Sequence, residues 1–442
     1  MMLRRLLSFV LATAALGALA VVATPSIGGT QQGGTQDQPL PERPAVIEVE
    51  MQERQVYRIA LPTFAGREPL ASQATDVLRH DCDYSSLFQI IDARNYPASA
   101  ATEGLAITRS QWTGIGAQAV VKAELRGVAP NVELELRLYE VGRVAGNDPT
   151  LVRTYTGTEA ELRKLVHRFA NELVGQITGT PGAFDTQLTF ARREQMGRKD
   201  VFVADYDGAG MRRISNGTGI AMLPAFGPGN LWYSRLTEFG MYLTHSGMNE
   251  RPVIQSEGLN MGISICGERM FFTSTRDGNS EIYSAKLDGT DIRRLTRHPA
   301  IDVSPACGPN NQLAFVSNRH GGPQVFVMTQ DGGEPRRVTF KGSHNQTPSW
   351  CMDPQKPLLA FTGRDAGLDI FTVNVNTQAY VRLTQGQGLN KDPAFSPDCR
   401  MVAFHSSRQG GGIYLSNPNG FNQNRVVEGH AETLRWSRTP WP

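Results

Sequence analysis

The sequence predicts an α+β amino-terminal domain followed by an all-β six-bladed β-propeller, closed by the carboxy-terminal strand pairing into the first blade. Three observations carry that expectation. First, an apolar-aromatic triplet recurs six times, ending at Phe190, Tyr233, Phe272, Phe315, Phe361 and Phe404, with gaps of about 43, 39, 43, 46 and 43 residues. Several short strands per unit at a period near forty suit stacked blades, because a sheet with two apolar faces is covered only by neighbouring copies of itself. Second, five units carry a lead-in segment before the triplet and the first does not, whereas the chain ends on ETLRWSRTPWP, which has the lead-in pattern. Third, the region before residue 181 has no such repeat and ends in a strongly amphipathic helical pattern.

Each segment follows in order. Arg4 and Arg5 precede an apolar run from Leu6 to about Val22, with small residues at Ala18, Ala20 and Ala23. Residues 1–23 therefore read as an export signal; an uncleaved amino-terminal anchor is the alternative. Residues 24–44 are rich in Gly, Gln and Pro and read as a flexible linker. Residues 45–180 form the α/β domain, with strands near Tyr57–Leu61 and Phe88–Ile91 and a helix near Leu70–Arg79. AQAVVKAEL and VELELRLYEV alternate apolar and polar residues as half-buried strands do. Thr158 and Glu161 form a capping box before a helix whose stripe is Leu162, Leu165, Val166, Phe169, Leu173 and Ile177; Gly179 and Pro181 end it. His80 and His167 fall on helices and read as ordinary surface or boundary residues, and GIGAQA at Gly114 lacks the dinucleotide fingerprint.

Residues 181–442 hold the repeats. A second marker supplies Phe202, Tyr283, Phe326, Phe371 and Tyr414, and a third closes units at Ser215, Thr296, Thr339 and Thr384. Asp-Gly and Asn-Gly pairs at Asp207, Asp288, Asp331 and Asn419 mark turns. The second unit lacks its Asp-Gly turn, so a distorted blade is expected there. In the closing segment Trp436 takes the column of Phe226, Trp350 and Phe395, and Ser437 that of Ser396.

Composition narrows the function. The formal charge is +2, with 44 basic and 42 acidic residues, which argues against a phosphate-driven nucleic-acid binder. No segment after the export signal is apolar for long enough to span a membrane. Cys82, Cys266, Cys307, Cys351 and Cys399 match no zinc spacing and read as buried small hydrophobes, with a disulfide between neighbouring repeats, Cys266 with Cys307, as the alternative. No phosphate-cradling loop, metal motif or Gly-x-Ser-x-Gly elbow occurs, so no cofactor and no enzymatic activity are expected.

Loops entering the innermost strands share one radius and assemble into a ring at one channel mouth. They contain Met222, Leu223, Leu259, Asn260, Met261, Gly262, Asp302, Val303, Asn345, Gln346, Lys391, Asp392 and Glu432. Apolar residues mixed with amides and a few charges suit a protein interface, and are expected to be exposed. A second candidate surface is VIEVEM near the amino terminus, where Val46, Ile47, Glu48, Val49 and Glu50 alternate in an extended pattern. Such a peptide can add to a partner's sheet edge or serve as its own domain's first strand.

The order of export signal, α/β domain with AVVKAEL and ITGTPGAF, repeats of the PAFSPD and YDGAGMRRIS type, and terminal RWSRTPW resembles the TolB family, periplasmic components of the bacterial Tol–Pal system. Cys residues in four lead-ins depart from the family pattern, including Cys399 where a turn favours Gly. The resemblance implies a non-enzymatic periplasmic adaptor supporting outer-membrane integrity and constriction during division. It implies that the lipoprotein Pal binds at the channel mouth and TolA at the mature amino-terminal segment, with other outer-membrane or peptidoglycan-associated proteins as further partners. The alternative is a propeller-based periplasmic hydrolase or glycan-binding protein. In the glycan-processing version of that reading Asp302, Asp392 and Glu432 serve acid–base chemistry. Under either reading the same carboxylates suit a channel cation such as calcium.

Overall fold

The computed structural model describes residues 56–142 and 146–441. The export signal, the linker and Val46–Glu50 lie outside them. The first domain is built on one mixed sheet: β1 (Tyr57–Ala60), β2 (Ala65–Gly66), β3 (Phe88–Ile90), β4 (Ala119–Arg126), β5 (Asn131–Tyr139) and β6 (Leu151–Thr158). The order is β3-β1-β4-β5-β6, with β2 beside β4; β1 runs parallel to both its neighbours and β4-β5-β6 is an antiparallel meander. Helices α1 (Leu70–Ser85) and α3 (Leu162–Thr178) cover one face through Leu78, Val166, Phe169 and Leu173. The capping box at Thr158 and Glu161 forms as expected. The other face is not open: the short helix α2 (Arg109–Gly114) lays Trp112 over Val120, Tyr139 and Ile107. Periodicity could not reveal a six-residue helix anchored by one ring.

Six blades follow. Five have four strands, as in Asp302–Cys307, Gln312–Ser317, Gln324–Thr329 and Gly332–Arg337 of the fourth. The two aromatic columns meet across the second and third strands. Phe190 pairs with Phe202, Phe272 with Tyr283, Phe315 with Phe326, Phe361 with Phe371 and Phe404 with Tyr414, each stacked at 5.6–6.2 Å between centroids. Aromatic cross-strand pairs of this kind contribute up to about 1 kcal/mol each. The closing Ser or Thr has an equally local cause. Its hydroxyl accepts the third strand's N–H, at 2.8–3.1 Å from Val201, Ile282, Val325 and Ile370, and donates to Asp200, Glu281, Gln324 or Asp369 at that strand's start. The second blade is the distorted one: Tyr233 faces Thr244, and its outermost strand shrinks to a bridge between Leu243 and Ile254.

The carboxy-terminal strand, Glu432–Trp436, pairs antiparallel with Gln187–Gln195 as the first blade's innermost strand. Trp436 is 8% exposed and its Nε1 donates to Thr186 Oγ1 at 2.7 Å. Ser437 exchanges hydrogen bonds with the Gln187 backbone at 2.8 and 2.9 Å.

Other blade junctions are fastened differently. Parallel bridges join blades one to two at Lys199–Ile220 and two to three at Gly240–Gly258. Disulfides Cys266–Cys307 and Cys351–Cys399 join three to four and five to six. Trp350 Nε1 donates to Ala306 O at 3.0 Å between four and five. The small-hydrophobe reading therefore holds only for Cys82, which is buried and free. The other four pair between blades: Cys266–Cys307 is the alternative that the sequence offered, whereas Cys351–Cys399 was not foreseen. Cys399 does occupy a left-handed turn position, with φ +62°.

The first domain is docked against blades six and one within one hydrophobic core that includes Leu78, Phe169, Tyr206, Leu415 and Trp436. At its centre His167, read from the sequence as ordinary, is buried. Its Nδ1 lies 2.9 Å from Asp81 and its Nε2 3.4 Å from Asp207. Tyr206 donates to Asp81, and Arg163 pairs with Asp207. Burial opposes the imidazolium, but the Asp81 charge, the contact with Asp81 and the nearby Asp207 carboxylate outweigh it and lift the His167 pKa to about 10. Burial likewise opposes the Asp207 carboxylate, yet His167 and Arg163 hold it well below the usual range.

Candidate functional site at the channel

Each innermost strand has the same kink. Register shifts fall between Met222 and Ala225, Met261 and Ser264, Val303 and Ala306, Gln346 and Ser349, Lys391 and Ala394, and Glu432 and Arg435. At each bulge one residue is left-handed: Leu223, Gly262, Ser304, Thr347, Asp392 and Thr433, with φ from +52° to +69°. For the five that are not glycine this costs about 1–2 kcal/mol apiece. The freed amides offset it by bonding to the preceding blade. Leu223 N reaches Thr433 Oγ1, Gly262 N reaches Ser234 Oγ, Ser304 N reaches Thr273 Oγ1, Asp392 N reaches Thr362 Oγ1 and Thr433 N reaches Asp392 Oδ2, at 2.8–3.3 Å.

The candidate mouth residues do converge on this ring, but their exposure differs from expectation. Asn260 and Asp302 are 0% exposed and Asn345 is 1%. Asn260 accepts from Ser274 and Arg276; Asp302 accepts from Arg319 at 2.9 Å; Asn345 donates to Gln324 and to Lys341 O. Asp392 caps Thr433 N, and Glu432 pairs with Lys199. Met222, Leu259, Met261 and Gln346 are also buried. The bulge folds this side of each strand against its neighbour, so side chains that look like loop residues hold blades together. Leu223, Gly262, Val303 and Lys391 stay partly open. Burial pushes the Asp302 carboxyl up, against Arg319. All three carboxylates proposed for acid–base or cation chemistry are thus engaged by internal donors. Among the described residues no group of three or more His, Cys, Asp or Glu is placed to hold a metal.

The face around this mouth carries apolar surface that the sequence did not single out: Met196 and Phe239 at hairpin tips, and Phe340 and Leu389 on the segments entering blades five and six, are all exposed. Nearby, His405 and His430 lie 4.8 Å apart, ring to ring. Burial, with Lys391 and His430, pushes the His405 pKa down to about 3.

At the opposite end the tail crosses the channel. Arg435 to Trp441 help line a cavity of about 430 Å³, which continues into one of about 80 Å³. Sequence reading passed over Arg435 and Arg438 because they sit inside a strand-and-turn motif that already explained itself.

A ring-closed six-bladed propeller carrying an α/β domain on blades six and one defines the structural class. The chain matches the family models described as TolB amino-terminal domain over residues 45–146 and TolB beta propeller domain over residues 174–366. It is 34% identical over 312 residues to the Tol-Pal system protein TolB of Anaeromyxobacter dehalogenans strain 2CP-C, an alignment spanning 66% of each chain. It is 31% identical over 336 residues to the TolB homolog of Chlorobium luteolum, covering 74% of this chain and 76% of that one. The crystal structure of TolB from Acinetobacter baumannii shares the fold at a TM-score of 0.75 and 23% identity, over 86% of this chain and 96% of that one. The chain belongs to the TolB family of the Tol–Pal system. Among the described residues no helix is long and apolar enough to cross a membrane.

Proposed function

We propose that this protein is a non-enzymatic periplasmic adaptor. It binds Pal at the channel mouth where the innermost strands begin and TolA through its mature amino-terminal segment, Val46 to Glu50 included, and so supports outer-membrane integrity and constriction during division. Family membership supports the system. The observation that carries the site is the exposed apolar set Met196, Phe239, Phe340 and Leu389 around a mouth with Lys391 at its edge. Scattered exposed apolar residues are ordinary and a contiguous patch marks an interaction surface; strand order puts these four on the mouth's face, as it puts Met211, Ile292 and Phe421 on the other. A standard interface would bury about 800 Å² on each partner.

Titration calorimetry with the soluble domain of Pal tests this. Phe239→Asp combined with Lys391→Glu weakens binding by about tenfold or more, a loss of roughly 1.4 kcal/mol. Ile292→Asp, on a strand-to-strand turn at the other end, leaves it unchanged. Equal affinity for both variants moves the site elsewhere. A peptide of residues 38–55 binding TolA directly supports the second contact; a silent peptide removes it.

A further inference from the structure

The lower half of the channel breaks the repeat in one place. Two positions beyond the left-handed residue, the innermost strands carry the small side chains of Ala225, Ser264, Ala306, Ser349 and Ala394. The first blade carries Arg435 there. Three residues on, Arg438 lies across the Cys266–Cys307 disulfide, with its Nη2 3.1 Å from Cys307 O and both Nη atoms 3.2 Å from Cys266 Sγ. Both arginines line both parts of the cavity, together with Ser264, Trp436 and Ser437.

Their charges are poorly answered. Each guanidinium has five N–H donors. The oxygens that accept from them are Leu434 O for Arg435 and Cys307 O for Arg438, and among the described residues neither has a carboxylate within ion-pair distance. Arg435 is half-buried and Arg438 exposed at the rim of the cavity; partial desolvation lowers the pKa of both, and for Arg435 only the more distant Asp392 works the other way. A ring that needed only to close would use Ala or Ser at this column, as five blades do. An uncompensated cation at a scaffold's centre is the local violation expected of a binding site. The surroundings set the rest of the ligand. Phe226, Ile263, Ile265 and Trp441 form apolar walls, and the cavity falls in the size range of small-molecule pockets.

We propose that this cavity binds a small organic anion: a carboxylate held by Arg435 and Arg438, carried on an apolar or aromatic body that packs on Phe226 and Trp441. The guanidinium fork matches a carboxylate through two parallel hydrogen bonds. The site lies at the end opposite the mouth assigned to Pal and stands independently of that assignment.

The test uses full-length protein and calorimetry with two isosteric pairs, N-acetyl-tryptophan against its amide and 3-phenylpropionate against its amide. Saturable binding of the acids at millimolar or tighter affinity is expected, at least about tenfold stronger than the amides, the range of one charge-assisted contact. Arg438→Gln is expected to erase the preference for acid over amide. The acid–amide comparison on unaltered protein keeps the test valid should that variant not fold. Inorganic phosphate binding as tightly as the acids would overturn the need for an apolar body. Equal affinity for acid and amide, or no saturable binding of either, would overturn the proposal.

Discussion

Replacing Trp436 with alanine tests whether the carboxy-terminal strand closes the ring. The indole is 8% exposed, packs in the core shared by the first domain and blades six and one, and donates to Thr186 Oγ1. Truncating a buried aromatic to alanine costs about 3–5 kcal/mol through lost transfer energy and the cavity left behind. That is a large share of a stability of about 5–15 kcal/mol. The strand pairs with only one neighbour in its sheet, so the loss falls on the closure itself. At about 2–4 °C per kcal/mol for a unit of this size, the melting temperature falls by roughly 6–20 °C. The assay is a thermal melt by circular dichroism beside limited proteolysis of the native protein. Early cleavage is expected in Gln187–Gln195, whose free edge the strand would no longer cover. A melting shift under about 2 °C with unchanged proteolysis would refute the closure argument, since it would mean that the ring holds without its fastener.

Further predictions follow from the same structure. Thiol titration in denaturant finds one reactive cysteine, Cys82, and five after reduction; chain entropy for sequence separations of 41 and 48 residues gives about 4 kcal/mol of stabilisation per disulfide, so reduction lowers the denaturation midpoint. Because the folded His167 pKa is raised to about 10, its contribution to stability is complete below about pH 6.5 and is lost as pH climbs towards 10. Unfolding midpoints measured across that range should fall, and His167→Gln should flatten the slope; an unaltered slope would show that the Asp81–His167–Asp207 contact does not couple to folding. Asp302→Lys leaves two cations buried beside each other and costs about 3–5 kcal/mol of stability in urea titrations, so it damages the fold rather than a surface.

Much of this architecture was legible because its causes are local. The recurring Phe or Tyr columns, the closing Ser or Thr and the turn pairs each act within one blade, where strand alternation and hydroxyl chemistry leave a mark every forty residues or so. The same locality made the second blade readable as distorted, because an absent turn is an absent strand.

The site was less legible. Asn345 and Asp302 look like interface residues in a loop, and only the bulge, a feature of paired strands, turns them towards Gln324 and Arg319. His167 belongs to a helix whose apolar stripe is self-sufficient; its partners Asp81 and Asp207 come from another helix and from the propeller.

What the sequence by itself determined was the period, the blade chemistry and the identity of the missing strand, since these depend on neighbours in the chain. Only the tertiary structure decided which cysteines meet, which polar side chains are buried and where two unanswered arginines converge. Those depend on ring closure, which brings together residues about 250 positions apart, a separation over which sequence pattern carries no geometric information.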